Sequence, residues 1–195
     1  MGKARLEAFS DGVIAIIITI TVLDLKIPSG ADLSAIATVI PVFLNYVLSF
    51  LYVAIYWNNH HHLLQTVQRI NGAILWANLH LLFWLSLFPF VTGWMGENYS
   101  APLPTALYGC VLLLAAMAYL ILQRVIIAFE GVDSLLARAV GSELKGRVSL
   151  VFYVMGIGLA FYSRVAAQVF YVTVALMWLI PDRRIERAIA DRSRR

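Results

Sequence analysis

The sequence predicts an all-α membrane protein: a single domain over residues 1–195 with six transmembrane helices. Three observations predict it. Hydrophobic residues make up 61% of the chain and charged residues only 13%, against roughly 45–50% apolar and about 25% charged in soluble domains. Three runs, 33–57, 70–96 and 100–123, contain no Asp, Glu, Lys or Arg. Each is longer than the about 20 residues a helix needs to cross a bilayer. The basic residues, finally, fall almost entirely on one side of a six-crossing arrangement.

Taken in order, the first span is the unusual one. Its charge-free run, GVIAIIITITVL, covers only 12–23. It reaches full length, about 8–27, only if Ser10 and Asp11 lie at membrane depth at one end and Asp24 at the other. An ionised Asp costs roughly 2.5–3.5 kcal/mol at a helix centre and less near the interface, so Asp11 must be compensated. No small-residue cleavage site follows the run, so it reads as a mature helix rather than a signal peptide. Spans two to four are 33–57, 70–96 and 100–123. The last apolar stretches, 148–163 and 165–181, flank Arg164 and together are too long for one crossing. They read as a hairpin turning near Tyr162 to Arg164, without Gly or Pro to mark the turn.

Lys3, Arg5, Arg69, Arg124, Arg138, Lys145, Arg147 and the six arginines of the tail share one side of this arrangement. Only Lys26 and Arg164 fall on the other. Cytoplasmic loops carry the excess of Lys and Arg, so both termini are expected in the cytoplasm. The formal net charge of +4 is therefore a matter of topology and lipid headgroups, not of a nucleic-acid partner. GVDSLLARAVGSELKGR in the longest cytoplasmic loop reads as a short amphipathic surface helix, and the tail IPDRRIERAIADRSRR as helical and solvated. The lone Cys110 reads as a small apolar packing residue.

On a helical wheel advancing about 100° per residue, Phe9, Gly12, Ile16, Ile20, Leu23 and Ile27 form one stripe. Ser10 and Asp11 point away from it, and Thr19 sits on its shoulder. The stripe either faces lipid or faces a symmetry axis, where copies of Ile16, Ile20 and Leu23 would stack as apolar rings. In both cases Ser10 and Asp11 face neighbouring helices. Their expected partners lie in the same leaflet: the histidines of YWNNHHHLL at the end of span two, with Asn71 or Asn78 of span three. Such a contact would offset the burial of polar groups.

His60, His61 and His62 fan out around a helix, so at most two could share an ion, and poorly; no metal site is expected. Ser10 and Asp11 are adjacent and diverge, and no nucleophile–base constellation is visible. The chain is not expected to be an enzyme or to hold a cofactor.

RLEAFSDGV resembles the Arg-x-x-x-Phe-Ser-Asp signature that opens the pore helix of the transmembrane-protein-175 potassium channels, in the bacterial form. YWNNHH, NLHLLFWLSLFPF and the Glu-Asn pair before Pro102 support the match, which extends over the whole chain. The resemblance implies a homotetramer in a bacterial inner membrane, with the first helix of each subunit lining a central pore. It implies potassium as the permeant ion without a carbonyl filter, and TVGYG is indeed missing. It makes Ile16 the narrowest ring, with Ile20 and Leu23 further along, and gives Thr19 a part in selectivity. Arg5, Phe9, Ser10 and Asp11 become a structural network with His60 or His61, and Asn78, as partners. His62 has no counterpart in this scheme. The rival is a proton-coupled secondary transporter working through Asp11 and His60, His61 and His62. The partners implied are further copies of the chain and membrane lipid.

Overall fold

In a computed structural model, residues 2–25, 27–98, 101–131, 133–134, 136–137 and 144–179 are described. All the regular structure among them is helical. The helices are α1 (Lys3–Leu23), α2 (Leu33–Gln65), α3 (Gly72–Ser86), α4 (Phe88–Glu97), α5 (Pro102–Glu130), α6 (Leu144–Leu159) and α7 (Arg164–Leu179). The surface helix expected over 131–147 falls largely outside the described residues, and the basic tail and Lys26 entirely so.

Local chemistry sets the boundaries. The Asp32 carboxylate accepts the Ala35 N–H at 3.0 Å and caps α2. This bond holds the Asp32 carboxyl below its ordinary value of 3.8. The cap is therefore complete above the usual carboxylate range and is lost as pH falls through the lowered value. Asn71 caps α3 in the same way, its Oδ1 accepting from Ile74 N–H at 2.8 Å. Pro102 opens α5, where its missing N–H is not needed. Gly131, with φ 98°, closes that helix in a conformation open to glycine.

The third expected span is not one continuous helix. It breaks at Leu87 into α3 and α4. Pro89 has no N–H to donate to the Leu85 carbonyl, and the Ser86 hydroxyl instead donates to Phe83 O at 2.7 Å. Helix α2 runs past Trp57 to Gln65, so the NNHHH segment is helical. Helix α5 likewise continues to Glu130. There the Glu130 carboxylate accepts the N–H of Gln68 at 2.9 Å and of Arg69 at 3.4 Å. Those loop donors have no helical partner of their own, so the end of α5 is tied to the α2–α3 connection.

Four helical stretches are long and apolar enough to cross a membrane: Lys3–Leu23, Leu33–Gln65, Gly72–Glu97 and Pro102–Glu130. Helices α6 and α7 have 16 described residues each, about 24 Å of helix, and pack against each other as a hairpin. The turn between them covers 160–163. Ser163 caps α7 by accepting the Ala166 N–H at 3.4 Å, which is how the chain turns there without Gly or Pro.

Helix α1 packs on α2, α3 and α4; α5 packs on α3 and α6; α2 also meets α4 and α7. The centre is aromatic: Tyr52, Phe88, Tyr108, Tyr153 and Tyr171 are buried with ring centroids 5.9–6.5 Å apart. Their hydroxyls are paired inside the bundle. Tyr52 donates to the Tyr171 carbonyl, Tyr171 to the Thr105 carbonyl at 3.2 Å, and Tyr108 shares a bond with Ser49 at 3.0 Å. Ser49 also bonds Thr92 at 2.6 Å. Hydrocarbon supplies no alternative partners, so each bond matters.

Two glycines make room for Tyr171. A Cβ at Gly109 would collide with its hydroxyl and one at Gly156 with its ring edge, whereas Gly158 of the same helix faces open space. We expect Gly109→Ala and Gly156→Ala each to destabilise the purified protein by about 1–3 kcal/mol through overpacking. Gly158→Ala is expected to be neutral or slightly stabilising. Thermal unfolding followed by circular dichroism would separate the three; equal midpoints would contradict the packing of Tyr171.

Candidate functional site

The first helix has two faces of opposite character. Leu6, Ser10, Ile14, Ile17 and Thr21 are buried against the rest of the chain. Phe9, Ile16, Ile20 and Leu23 stand on the other face with 48%, 59%, 45% and 76% of their surface exposed. Ile27, beyond the helix end, is exposed as well. The stripe read from the wheel is thus an uncovered surface of the single chain. Thr19, on its shoulder, is exposed, and its hydroxyl donates to Ala15 O at 2.9 Å. That bond uses the hydrogen and leaves oxygen lone pairs directed outward.

A fully buried polar relay holds the opposite face. Asn78 Oδ1 lies 2.6 Å from His60 Nε2. An amide oxygen can only accept, so His60 Nε2 carries the hydrogen. Asn78 Nδ2 donates to Ser10 Oγ at 3.0 Å, and Ser10 donates in turn to Leu6 O at 2.9 Å. Ser10, Asn78 and His60 are each no more than 1% exposed. One residue from each of α1, α2 and α3 is therefore joined in a single directed chain.

Asp11 does not join that chain. The expected contact with a histidine is replaced by Trp57, whose indole N–H donates to Asp11 Oδ1 at 2.9 Å on the exposed flank of α1. The 100° between successive residues is the reason. Ser10 points at α3, and Asp11 points to the edge of α2, where Trp57 stands. His61, one turn further along α2, stacks on the Trp57 ring with centroids 6.0 Å apart, and its Nε2 lies 2.8 Å from Gln65 Nε2. Asn71 is used as a cap, and His80 accepts the Trp84 indole N–H at 2.9 Å within α3.

The other expected members of the network also fall elsewhere. Arg5 is exposed and makes no side-chain hydrogen bond or ion pair with a described residue. Phe9 lies on the exposed stripe. His62 sits on α2 away from the relay. Sequence reasoning passed over Trp57, although an indole N–H at the end of the second span that needs an acceptor, beside an Asp that needs a donor, could have suggested the pair. Among the described residues no group of three His, Cys, Asp or Glu side chains could hold a metal ion.

A helical bundle with a paired polar interior and apolar residues uncovered on α1, as on α2, α5 and α7, has the build of an integral membrane protein. Comparison with known proteins gives the family. Residues 5–89 match the family described as the endosomal/lysosomal potassium channel TMEM175. A protein from Chryseobacterium sp. (strain P1-3), named a potassium channel, is 55% identical over 191 residues, covering 98% of this chain and 100% of that one. The crystal structure of a lysosomal potassium-selective channel TMEM175 homologue from Chamaesiphon minutus matches with a TM-score of 0.80 at 25% identity. That match covers 92% of this chain and 97% of the other. Human TMEM175, named an endosomal/lysosomal proton channel, is 36% identical over 86 residues, which is 38% of this chain and 17% of the human protein. The chain belongs to the TMEM175 family, a family of membrane channels and not of enzymes.

The relay predicts an order of sensitivity. Asn78→Leu keeps side-chain volume but strands the His60 N–H, at about 1–3 kcal/mol for a buried donor left unpaired, and leaves Ser10 only its bond to Leu6 O. Trp57→Phe removes only an exposed bond and is expected to lower the unfolding midpoint less. A larger loss for Trp57→Phe in the same thermal assay would place the anchor of α1 at Asp11 instead.

Proposed function

We propose that the protein is a potassium-preferring cation channel assembled as a homotetramer, with α1 of each subunit lining the central pore. One observation carries this reading: Ile16, Ile20 and Leu23 are left uncovered along one face of a helix whose other face is locked by a buried polar relay. The names of the bacterial relatives support potassium as the permeant ion. The basic residues support cytoplasmic termini, and the bacterial relatives support placement in an inner membrane.

Ile16 is then the bottleneck, with Ile20 and Leu23 one and two turns further out. An aliphatic ring offers no oxygen ligands. The backbone carbonyls of α1 are engaged in helical bonds, so no carbonyl filter forms from them. Discrimination rests on the dehydration an ion undergoes in an apolar constriction and on dipoles close to it. Potassium holds its water less tightly than sodium and crosses at lower cost. The outward lone pairs of Thr19 are suited to meet a partly dehydrated cation beside the constriction. No cofactor is required.

A proton-coupled transporter is the second reading. It is favoured by the name of the human relative and by the run of Asp11, Trp57 and His61 on the flank of α1. It predicts saturable flux that follows a pH gradient, where a channel gives unitary current steps.

Purified protein in a planar bilayer, with potassium on one side and sodium on the other, is expected to show discrete steps reversing toward the potassium equilibrium potential. Ile16→Asn, which places an amide in the ring, is expected to shift that reversal toward the sodium potential. An unchanged reversal would remove Ile16 as the bottleneck. Asp11→Ala is expected to lower tetramer yield in detergent more than it changes the reversal potential of the tetramers that remain.

A further inference from the structure

We propose that a cavity at the far end of α1 binds an organic ammonium ion with an apolar body. The cavity measures about 890 Å³ and lies among the end of α1, the first turns of α2, and α4. This is within the usual range for small-molecule sites. Its walls are apolar, with Ile40 and the rings of Phe43 and Phe90, and Leu23 stands at its edge. Two carboxylates, Asp24 and Glu97, complete the lining.

The chemistry of these walls selects the ligand. Asp24 makes no side-chain hydrogen bond or ion pair with a described residue, and no Lys or Arg is among the described lining residues. Its carboxylate lies over the bare backbone of Gly93, where a Cβ would stand 3.6 Å from Asp24 Oδ2. That leaves a negative charge accessible from inside an apolar cavity. An inorganic cation would gain the charge and the ring faces but nothing from the aliphatic walls. A neutral apolar molecule would gain the walls and nothing from the charge. An ammonium on an apolar body uses both, and the faces of Phe43 and Phe90 add cation–π attraction. Phe90 is held in place by stacking on Trp94, with centroids 6.2 Å apart.

The cavity adjoins Leu23, at the outer end of the exposed stripe. A bound cation there repels others approaching the same end, so occupancy lowers potassium current. This consequence rests on the channel reading; the binding itself does not.

The probe is phenethylammonium, with the uncharged isostere 2-phenylethanol as control. Both are titrated by calorimetry into the full-length protein in detergent. Saturable binding of the ammonium is expected, at least tenfold tighter than the alcohol, and weakened at least fivefold by Asp24→Asn and by Phe90→Ala. Equal affinity for the alcohol and the ammonium overturns the proposal on the wild-type protein alone, whether or not the variants fold. So does binding that Asp24→Asn leaves unchanged. In bilayers, phenethylammonium added on the Asp24 side is expected to reduce current with little voltage dependence, and Asp24→Asn to relieve the block. Calorimetric binding in a protein that passes no current would overturn the channel reading and leave the site; current without binding would do the reverse.

Discussion

The relay from His60 through Asn78 to Ser10 is the constraint on which the rest depends. Three helices meet in a medium that offers no hydrogen-bonding alternative, and the relay satisfies them only at one rotation of α1 about its axis. Turning α1 by a single residue would carry Ser10 away from Asn78 and leave the buried Asn78 N–H without that acceptor. The same rotation decides that Ile14 and Ile17 are inside and that Ile16 and Ile20 are outside. A polar contact thus fixes where the apolar stripe points, although none of the stripe residues takes part in it.

The outer part of the bundle solves the same problem with tyrosines. Tyr52, Tyr108 and Tyr171 send their hydroxyls to backbone carbonyls or to Ser49, and their rings fill the space between α2, α5, α6 and α7. Gly109 and Gly156 clear the volume that Tyr171 occupies. This aromatic centre keeps the α6–α7 hairpin against α5 and α2. Glu130 does similar service at the end of α5, closing the loop donors of Gln68 and Arg69.

Much of the fold was legible in the sequence because a bilayer imposes length and polarity on any span. Charge-free runs marked the long helices, and Arg164 marked the hairpin. The break at Leu87 was not foreseen, although Pro89 stood in view, because a proline in a span can kink a helix or end it, and packing chooses. At the candidate site, the type of partner for Ser10 was within reach: a histidine and an amide in the same leaflet. The partner of Asp11 was not. A carboxylate accepts equally well from an imidazole or an indole, and only the relative height and rotation of α1 and α2 put Trp57 within 2.9 Å.

By itself the sequence determined that the chain is helical and membrane-embedded, and that α1 carries an aliphatic stripe with Ser10 and Asp11 off it. These follow from local properties: hydropathy, charge and the period of a helix. The tertiary structure alone decided which face of α1 is covered, which donors reach Ser10 and Asp11, and that a cavity with an accessible carboxylate opens beside Leu23. Those depend on distances between segments far apart in the chain, which the packing of whole helices sets.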